Sequence, residues 1–125
     1  MYLATSINES PVIVDKAGAV LADVRGKAVK YADGAIVLAG AGEAVLGVGI
    51  MTNDENIAIG ADVDIQIKDI GLVCAGGKIT KGAELAADAN GKFVTASTGY
   101  VAAIALEDAA GDGNYIKARL VNYKK

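Results

Sequence analysis

Carboxylates are the side chains in this sequence whose type and spacing could support chemistry. Asp54, Glu55, Asp62 and Asp64 form an acidic stretch with no lysine or arginine among them. Two carboxylates could act as general acid and base in a hydrolase, and a hard cation could bind among them. However, residues 62–68 alternate strictly between polar and apolar, which predicts a strand with Asp62 and Asp64 on its outward face. We favour a solvated strand face over a catalytic pair.

Other reactive residue types are almost absent. The 125 residues include no histidine and one cysteine, Cys74. Without histidine the chain cannot form a Ser-His-Asp or Cys-His pair or the usual zinc sites, and one cysteine cannot hold a zinc ribbon or an iron–sulfur cluster. Cys74 follows apolar residues and precedes Gly76-Gly77, which predicts a small buried hydrophobe. We therefore expect no enzyme, no metal and no cofactor.

Composition sets further limits on the class of protein. The chain is 53% hydrophobic and 22% charged, which is typical of a single globular domain. No apolar run is long enough to span a membrane, and the first ten residues lack the basic and apolar regions of a secretory signal. The net charge of −3 argues against nucleic acid as the main partner. We expect neither a membrane nor a nucleic acid as partner.

The sequence contains a weak internal duplication at a spacing of about 56 residues. Residues 26–29 correspond to residues 82–85, and each copy continues into a turn dipeptide, Asp33-Gly34 or Asn90-Gly91. These dipeptides favour the positive φ of two-residue hairpins, so each copy predicts strand, tight turn, strand. The duplication extends over residues 18–67 and 72–121.

A second pair of matching segments indicates how the strands face the core. Residues 45–50 match residues 101–106. In each copy one face carries larger apolar residues and the other carries small ones, so we expect the larger ones to face a core and the small ones to lie under a nearby backbone. The larger residues are Val48, Ile50, Ile104 and Leu106, and the small ones are Gly47, Gly49, Ala103 and Ala105. Residues 100–110 alone could form an alanine-rich helix, but the glycine-bearing copy favours a strand.

These patterns together predict an all-β fold. Sixteen glycines and many short apolar runs are typical of a small sandwich or barrel, here built from two similar β halves. We assign residues 11–125 to a single β domain and residues 1–10 to an extended N-terminal arm. That arm is either a free terminus or a strand that adds to the sheet edge of a partner.

The matched terminal strands carry opposite charges. Asp62 and Asp64 lie in the first copy, whereas Lys117 and Arg119 lie in the second. We hypothesise that these residues form a subunit interface in which copy one of one subunit faces copy two of the next, a head-to-tail contact that closes into a ring. Two unrelated solvated faces are the alternative.

The repeated segments resemble the head decoration, or capsid cement, proteins of tailed phages. The first copy carries the resemblance in residues 26–29, 36–39 and 44–48 and the second in residues 81–85, 88–94, 99–106 and 113–121. The resemblance implies a structural virion protein without catalytic residues. It would bind the major capsid protein on the outer surface of the head, between capsomers, and stabilise the capsid.

The resemblance also implies an assembly state and a location. We expect a homotrimer on the capsid exterior, present in the host cytoplasm during assembly. The arm would contact the capsid, with Tyr2, Leu3, Ile7 and Pro11 as candidate contact residues. The base of a phage head fibre is a close variant of this function.

Other residues suggest two alternative functions, a carrier domain and a carbohydrate-binding domain. Residues 14–17 resemble the Asp-Lys-Ala hairpin of lipoyl- or biotin-carrier domains, with Lys16 as the modified residue, although that lysine should lie between the two halves. A carbohydrate-binding β domain would stack sugars on aromatic rings. The aromatic residues are Tyr2, Tyr31, Phe93, Tyr100, Tyr115 and Tyr123.

Overall fold

A computed structural model describes residues 10–125, which form twelve β-strands and no helix. The strands are β1 (Val12–Lys16), β2 (Leu21–Ala22), β3 (Ala28–Ala32), β4 (Ala35–Leu38), β5 (Gly47–Gly49), β6 (Asn56–Ile57), β7 (Asp62–Gln66), β8 (Ile70–Cys74), β9 (Glu84–Ala87), β10 (Phe93–Thr95), β11 (Tyr100–Ala105) and β12 (Tyr115–Lys124). The all-β prediction is confirmed, and the sheets pack in a sandwich-like arrangement. No helix in this range is long and apolar enough to cross a membrane.

Two five-stranded antiparallel sheets have the same strand order. The first sheet runs β1-β7-β5-β3-β4, and the second runs β8-β12-β11-β9-β10. Each strand of the first sheet thus has a counterpart at the same position in the second. A short pairing of β2 with β6 accompanies the first sheet.

The correspondence between the halves extends to individual residue pairs. Three pairs in the first half each have a counterpart in the second: Val29–Gly47 with Leu85–Ala103, the parallel bridge Ala17–Ile36 with Ala75–Phe93, and Leu21–Ile57 with Ile79–Ala109. Each parallel bridge joins the residue that follows the first strand of a sheet to the last strand of the same sheet. Both sheets are therefore curled. The same backbone path is therefore built twice.

The turn dipeptides behave differently in the two copies. Asp33 and Gly34 have φ values of 51° and 79° and form the predicted two-residue hairpin between β3 and β4. Asn90-Gly91 also lies in a hairpin, between β9 and β10, but the predicted two-residue loop is wrong there. The Asp88 N–H donates to the Lys92 carbonyl at 2.7 Å and so encloses a three-residue loop. The Asp88 carboxylate accepts hydrogen bonds from the Asn90 and Lys92 N–H groups, which stabilises the longer loop.

The largest core cluster joins the two sheets. It contains Phe93 and Leu85 from the second sheet together with Ala28 and Val48 from the first. Backbone hydrogen bonds cross the same junction, from the Ala28 N–H to the Gly91 carbonyl and from the Cys74 N–H to the Gly26 carbonyl, both at 2.7 Å, and from the Tyr100 N–H to the Gly42 carbonyl at 3.0 Å. A second cluster, centred on Val24, Val29 and Ile65, fills the first half.

The predicted assignment of strand faces holds for the first copy only in part. Val48 is buried, Ile50 is half-buried, and Gly47 and Gly49 lie against neighbouring backbone, as expected. In the second copy the expectation is wrong. Ala103 and Ala105 face the core, whereas Ile104 and Leu106 are half-buried. The large side chains of Phe93 and Leu85 already fill this interior, so β11 contributes small residues to it.

Candidate contact surfaces

The proposed arm residues Tyr2, Leu3 and Ile7 lie outside the described residues, and the division into an arm and a domain stays a prediction. Pro11, the fourth candidate, is fixed to the first sheet. It is half-buried, and its carbonyl accepts a hydrogen bond from the Ile67 N–H at 2.8 Å. Pro11 therefore lies immediately before β1, an edge strand of the first sheet, and continues its pairing with the chain after β7.

Asp62 and Asp64 lie on the outward face of β7, as the alternation predicts, while Val63 and Ile65 are buried. Asp62 forms an ion pair with Lys16, its cross-strand neighbour on β1. Asp64 instead accepts a hydrogen bond from the Thr52 hydroxyl at 2.9 Å. Asp62 is thus neutralised within the chain, whereas Asp64 has no ion pair among residues 10–125.

The loop before β6 fixes the backbone at Asp64. Asn53, a buried polar residue, donates from Nδ2 to the carbonyls of Ile50 (3.0 Å) and Asp64 (2.8 Å), and its Oδ1 accepts from the Asp64 N–H at 2.8 Å. The position of the Asp64 backbone therefore does not depend on its carboxylate.

Lys117 and Arg119 are exposed on the outward face of β12, and neither forms an ion pair within the described chain. They lie directly opposite Leu72 and Ile70 on the edge strand β8. These two aliphatic side chains are 44% and 58% exposed. Sequence reasoning missed them, because alternation alone does not reveal that β8 is an edge strand.

The strand pairing shows which charged residues occupy equivalent positions in the two halves. Gly49 pairs with Ile65 in the first sheet, and its counterpart Ala105 pairs with Ala118 in the second. Counting from these pairs, Asp64 occupies the same position as Lys117. Asp62 corresponds to Tyr115 and Arg119 to Gln66, so among these four charged residues only Asp64 and Lys117 occupy equivalent positions.

Three other sequence-based hypotheses concern Cys74, Lys16 and a metal site. Cys74 is buried, as predicted, and burial raises the pKa of its thiol. Lys16 is the last residue of β1 and does not lie in a hairpin between the halves, so the carrier-domain reading does not fit. Residues 10–125 contain no cluster of three or more side chains suited to bind a metal ion.

The exposed tyrosines are dispersed over the two sheets. The Tyr31 hydroxyl on β3 donates to Asp15, and the Tyr123 hydroxyl on β12 donates to Glu84, each at 2.6 Å. These bonds raise the pKa of both tyrosines and lower the pKa of both carboxyls. The two rings lie on different sheets, and each hydroxyl is already bonded to a carboxylate of the same chain.

The described residues thus form an all-β fold that exposes aliphatic side chains on the edge strands β1 and β8. A family model of phage cement proteins matches residues 11–120. The chain therefore belongs to the phage cement protein family and is a structural bacteriophage protein associated with the capsid.

Comparison with solved structures agrees with this fold. The chain is similar to the N-terminal base of the head fibre protein gp8.5 of bacteriophage phi29, with 19% sequence identity and a TM-score of 0.67. The match covers 91% of this chain and 96% of the other. No curated protein matches the sequence.

Proposed function

We propose that this protein binds the outer surface of a phage head between capsomers, contacts the major capsid protein and stabilises the head. The observation that carries this proposal is the cement-family match over residues 11–120. The protein would act by adhesion and not as an enzyme. It would be present in the host cytoplasm during assembly and on the capsid exterior in the virion.

The size of the domain favours a multivalent assembly. A 125-residue chain offers limited area for any single contact, whereas a stable protein–protein interface buries roughly 1,600 Å² in total. When several weak contacts act together in one symmetric assembly, the overall affinity exceeds the affinity of any single contact. We therefore propose a homotrimer in which each subunit contributes one capsid contact.

The N-terminal residues would provide that contact. Pro11 immediately precedes the edge strand β1, and we propose that the residues before it add as a strand to a sheet edge of the capsid. Addition to a sheet edge gives affinity through backbone hydrogen bonds, and Tyr2, Leu3 and Ile7 would fill pockets between them.

A head-fibre base is the second candidate function. The shared fold with the phi29 fibre base favours it. Both functions require attachment to a capsid, and they differ in whether a further protein is attached to the outer side. Carbohydrate binding by the exposed tyrosines stays an untested alternative, which glycan-array binding would test.

Cosedimentation with undecorated heads tests the proposal. The full-length protein should pellet with heads and saturate at a fixed number of copies. A triple variant, Tyr2→Ser with Leu3→Ser and Ile7→Ser, should bind at least tenfold more weakly, whereas Val20→Ser, at an exposed apolar residue of the domain, should bind normally. Failure of the unmodified protein to pellet with heads of its own phage would refute the proposal.

A further inference from the structure

Two outward faces of the molecule combine an exposed aliphatic side chain with a charge. On the first sheet, Val14 of β1 lies directly opposite Asp64 of β7. On the second sheet, Leu72 of β8 lies directly opposite Lys117 of β12. Val14 is 56% exposed and Leu72 is 44% exposed. We call the first pair the acidic face and the second pair the basic face.

The two faces occupy equivalent positions in the two halves. β1 and β8 are the edge strands of sheets with identical strand order, and β7 and β12 are their neighbours. The backbone beneath the two faces therefore follows the same path, while the side chains differ in charge. Two like-shaped faces of opposite sign are complementary when they come from different copies, and two faces of the same sign repel each other.

The charge on each face lacks an oppositely charged partner within residues 10–125, and the half-buried Asp64 carboxylate accepts a hydrogen bond from the Thr52 hydroxyl. Neither Asp64 nor Lys117 forms an ion pair within residues 10–125, so they do not neutralise each other inside one chain. Asp62 is different, because Lys16 already pairs with it. Arg119, directly opposite Ile70, lies beside the basic face and is a second cation without an ion pair within residues 10–125.

The edge of β8 is partly occupied, which favours contact through the face. The Cys74 N–H donates to the Gly26 carbonyl at 2.7 Å, and the Gln66 side-chain amide donates to the Ile70 carbonyl at 2.9 Å. These bonds occupy backbone groups that an added strand would need. The exposed side chains of Leu72 and Ile70 remain accessible.

From these observations we infer that the acidic face of one copy packs against the basic face of another copy of this chain. Val14 and Leu72 form the apolar centre of the contact, and Asp64 pairs with Lys117. A contact between two unlike faces is heterologous and closes into a ring when the rotation allows it. The inference rests on the proposed homotrimer and specifies which surfaces build it.

Disulfide trapping tests the pairing directly. Val14→Cys and Leu72→Cys are made in separate full-length chains that also carry Cys74→Ala, and the two proteins are mixed under mild oxidation. We expect mixed Val14→Cys to Leu72→Cys dimers and few self-linked dimers of either variant. Val20→Cys, at a residue that is 69% exposed outside both faces, is the matched control and should not link to Leu72→Cys. Predominant self-linked dimers, or no mixed dimers, would overturn the inference.

Charge reversal supplies an independent measurement. Asp64→Lys and Lys117→Glu should each weaken trimer formation at least tenfold by light scattering, and the double reversal should restore it. Asn53 holds the Asp64 backbone, so the fold should survive, and circular dichroism monitors this. A double variant as defective as either single variant would contradict the pairing.

The outcomes separate this inference from the proposed function. A monomeric protein that still pellets with heads would overturn the contact and leave the capsid function intact. A trimer with mixed disulfides that ignores heads would support the contact and overturn the capsid function.

Discussion

Gly49 on β5 lies directly beneath the carbonyl oxygen of Val24, so close that a Cβ on residue 49 would overlap that oxygen. The Gly49 N–H also donates to the Lys27 carbonyl at 3.0 Å, and the Gly49 carbonyl accepts from the Gly26 N–H at 2.7 Å. Both bonds hold the Gly49 backbone against the segment that follows Val24, so the residue cannot move away from that carbonyl without losing them. In the second half the counterpart is Ala105, so the two copies are not interchangeable here.

The close approach at Gly49 predicts a large stability loss for Gly49→Ala. The methyl group must displace backbone, and we expect the free energy of unfolding to fall by about 2–3 kcal/mol in urea denaturation. Gly77→Ala is the control, because a Cβ there meets no atom within 4 Å, and its effect should stay within about 0.5 kcal/mol. Equal effects of both substitutions would show that the close approach is not important.

Asn53→Ala should destabilise the loop that precedes β6. The substitution removes the three hydrogen bonds of the buried amide and leaves the Asp64 N–H without its acceptor. Loss of buried hydrogen-bond partners costs about 1–3 kcal/mol, which thermal unfolding would detect. Asn56→Ala, at an exposed position nearby, should have little effect. An unchanged melting temperature for Asn53→Ala would contradict the structure of this loop.

Stability should fall at acidic pH partly through two tyrosine–carboxylate pairs. Hydrogen bonds from Tyr31 and Tyr123 lower the pKa of Asp15 and of Glu84 below the ordinary values of 3.8 and 4.5. A lowered pKa in the folded state gives stability that is present above the ordinary value and is lost as the pH falls through the folded value. The midpoint of urea unfolding should therefore decline below about pH 4.5.

Removal of the two phenolic hydroxyls tests this assignment. A double variant, Tyr31→Phe with Tyr123→Phe, should be less stable at pH 7, and its unfolding midpoint should decline less between pH 5 and pH 3. If the double variant follows the same pH profile as the unmodified protein, these two pairs do not contribute to the acid sensitivity.

The sequence predicted strands and turns wherever residues close in the chain determine them. The alternation around Val63 and Ile65 gave the strand and its faces, and Asp33-Gly34 gave the first hairpin. The duplication predicted a strand at residues 100–105 despite their alanines, and the structure confirms it. The second hairpin was predicted correctly as a hairpin, but its loop length was not, because hydrogen bonds to the Asp88 carboxylate stabilise a three-residue loop there.

Features that depend on long-range packing were beyond sequence reasoning. Whether Ile104 or Ala103 faces the core depends on how the Phe93 side chain, which lies on another strand, fills the interior. The exposure of Ile70 and Leu72 follows from the position of β8 at a sheet edge. For the same reason, the sequence placed Asp62 and Asp64 together but could not show that Lys16 pairs with only one of them.

Electron cryomicroscopy of heads before and after saturation with the full-length protein tests the central claim most directly. We expect new density on the outer surface, between capsomers, with three copies of this β fold at each site. Saturated heads without added density, or density confined to the inner surface or to capsomer centres, would contradict the account.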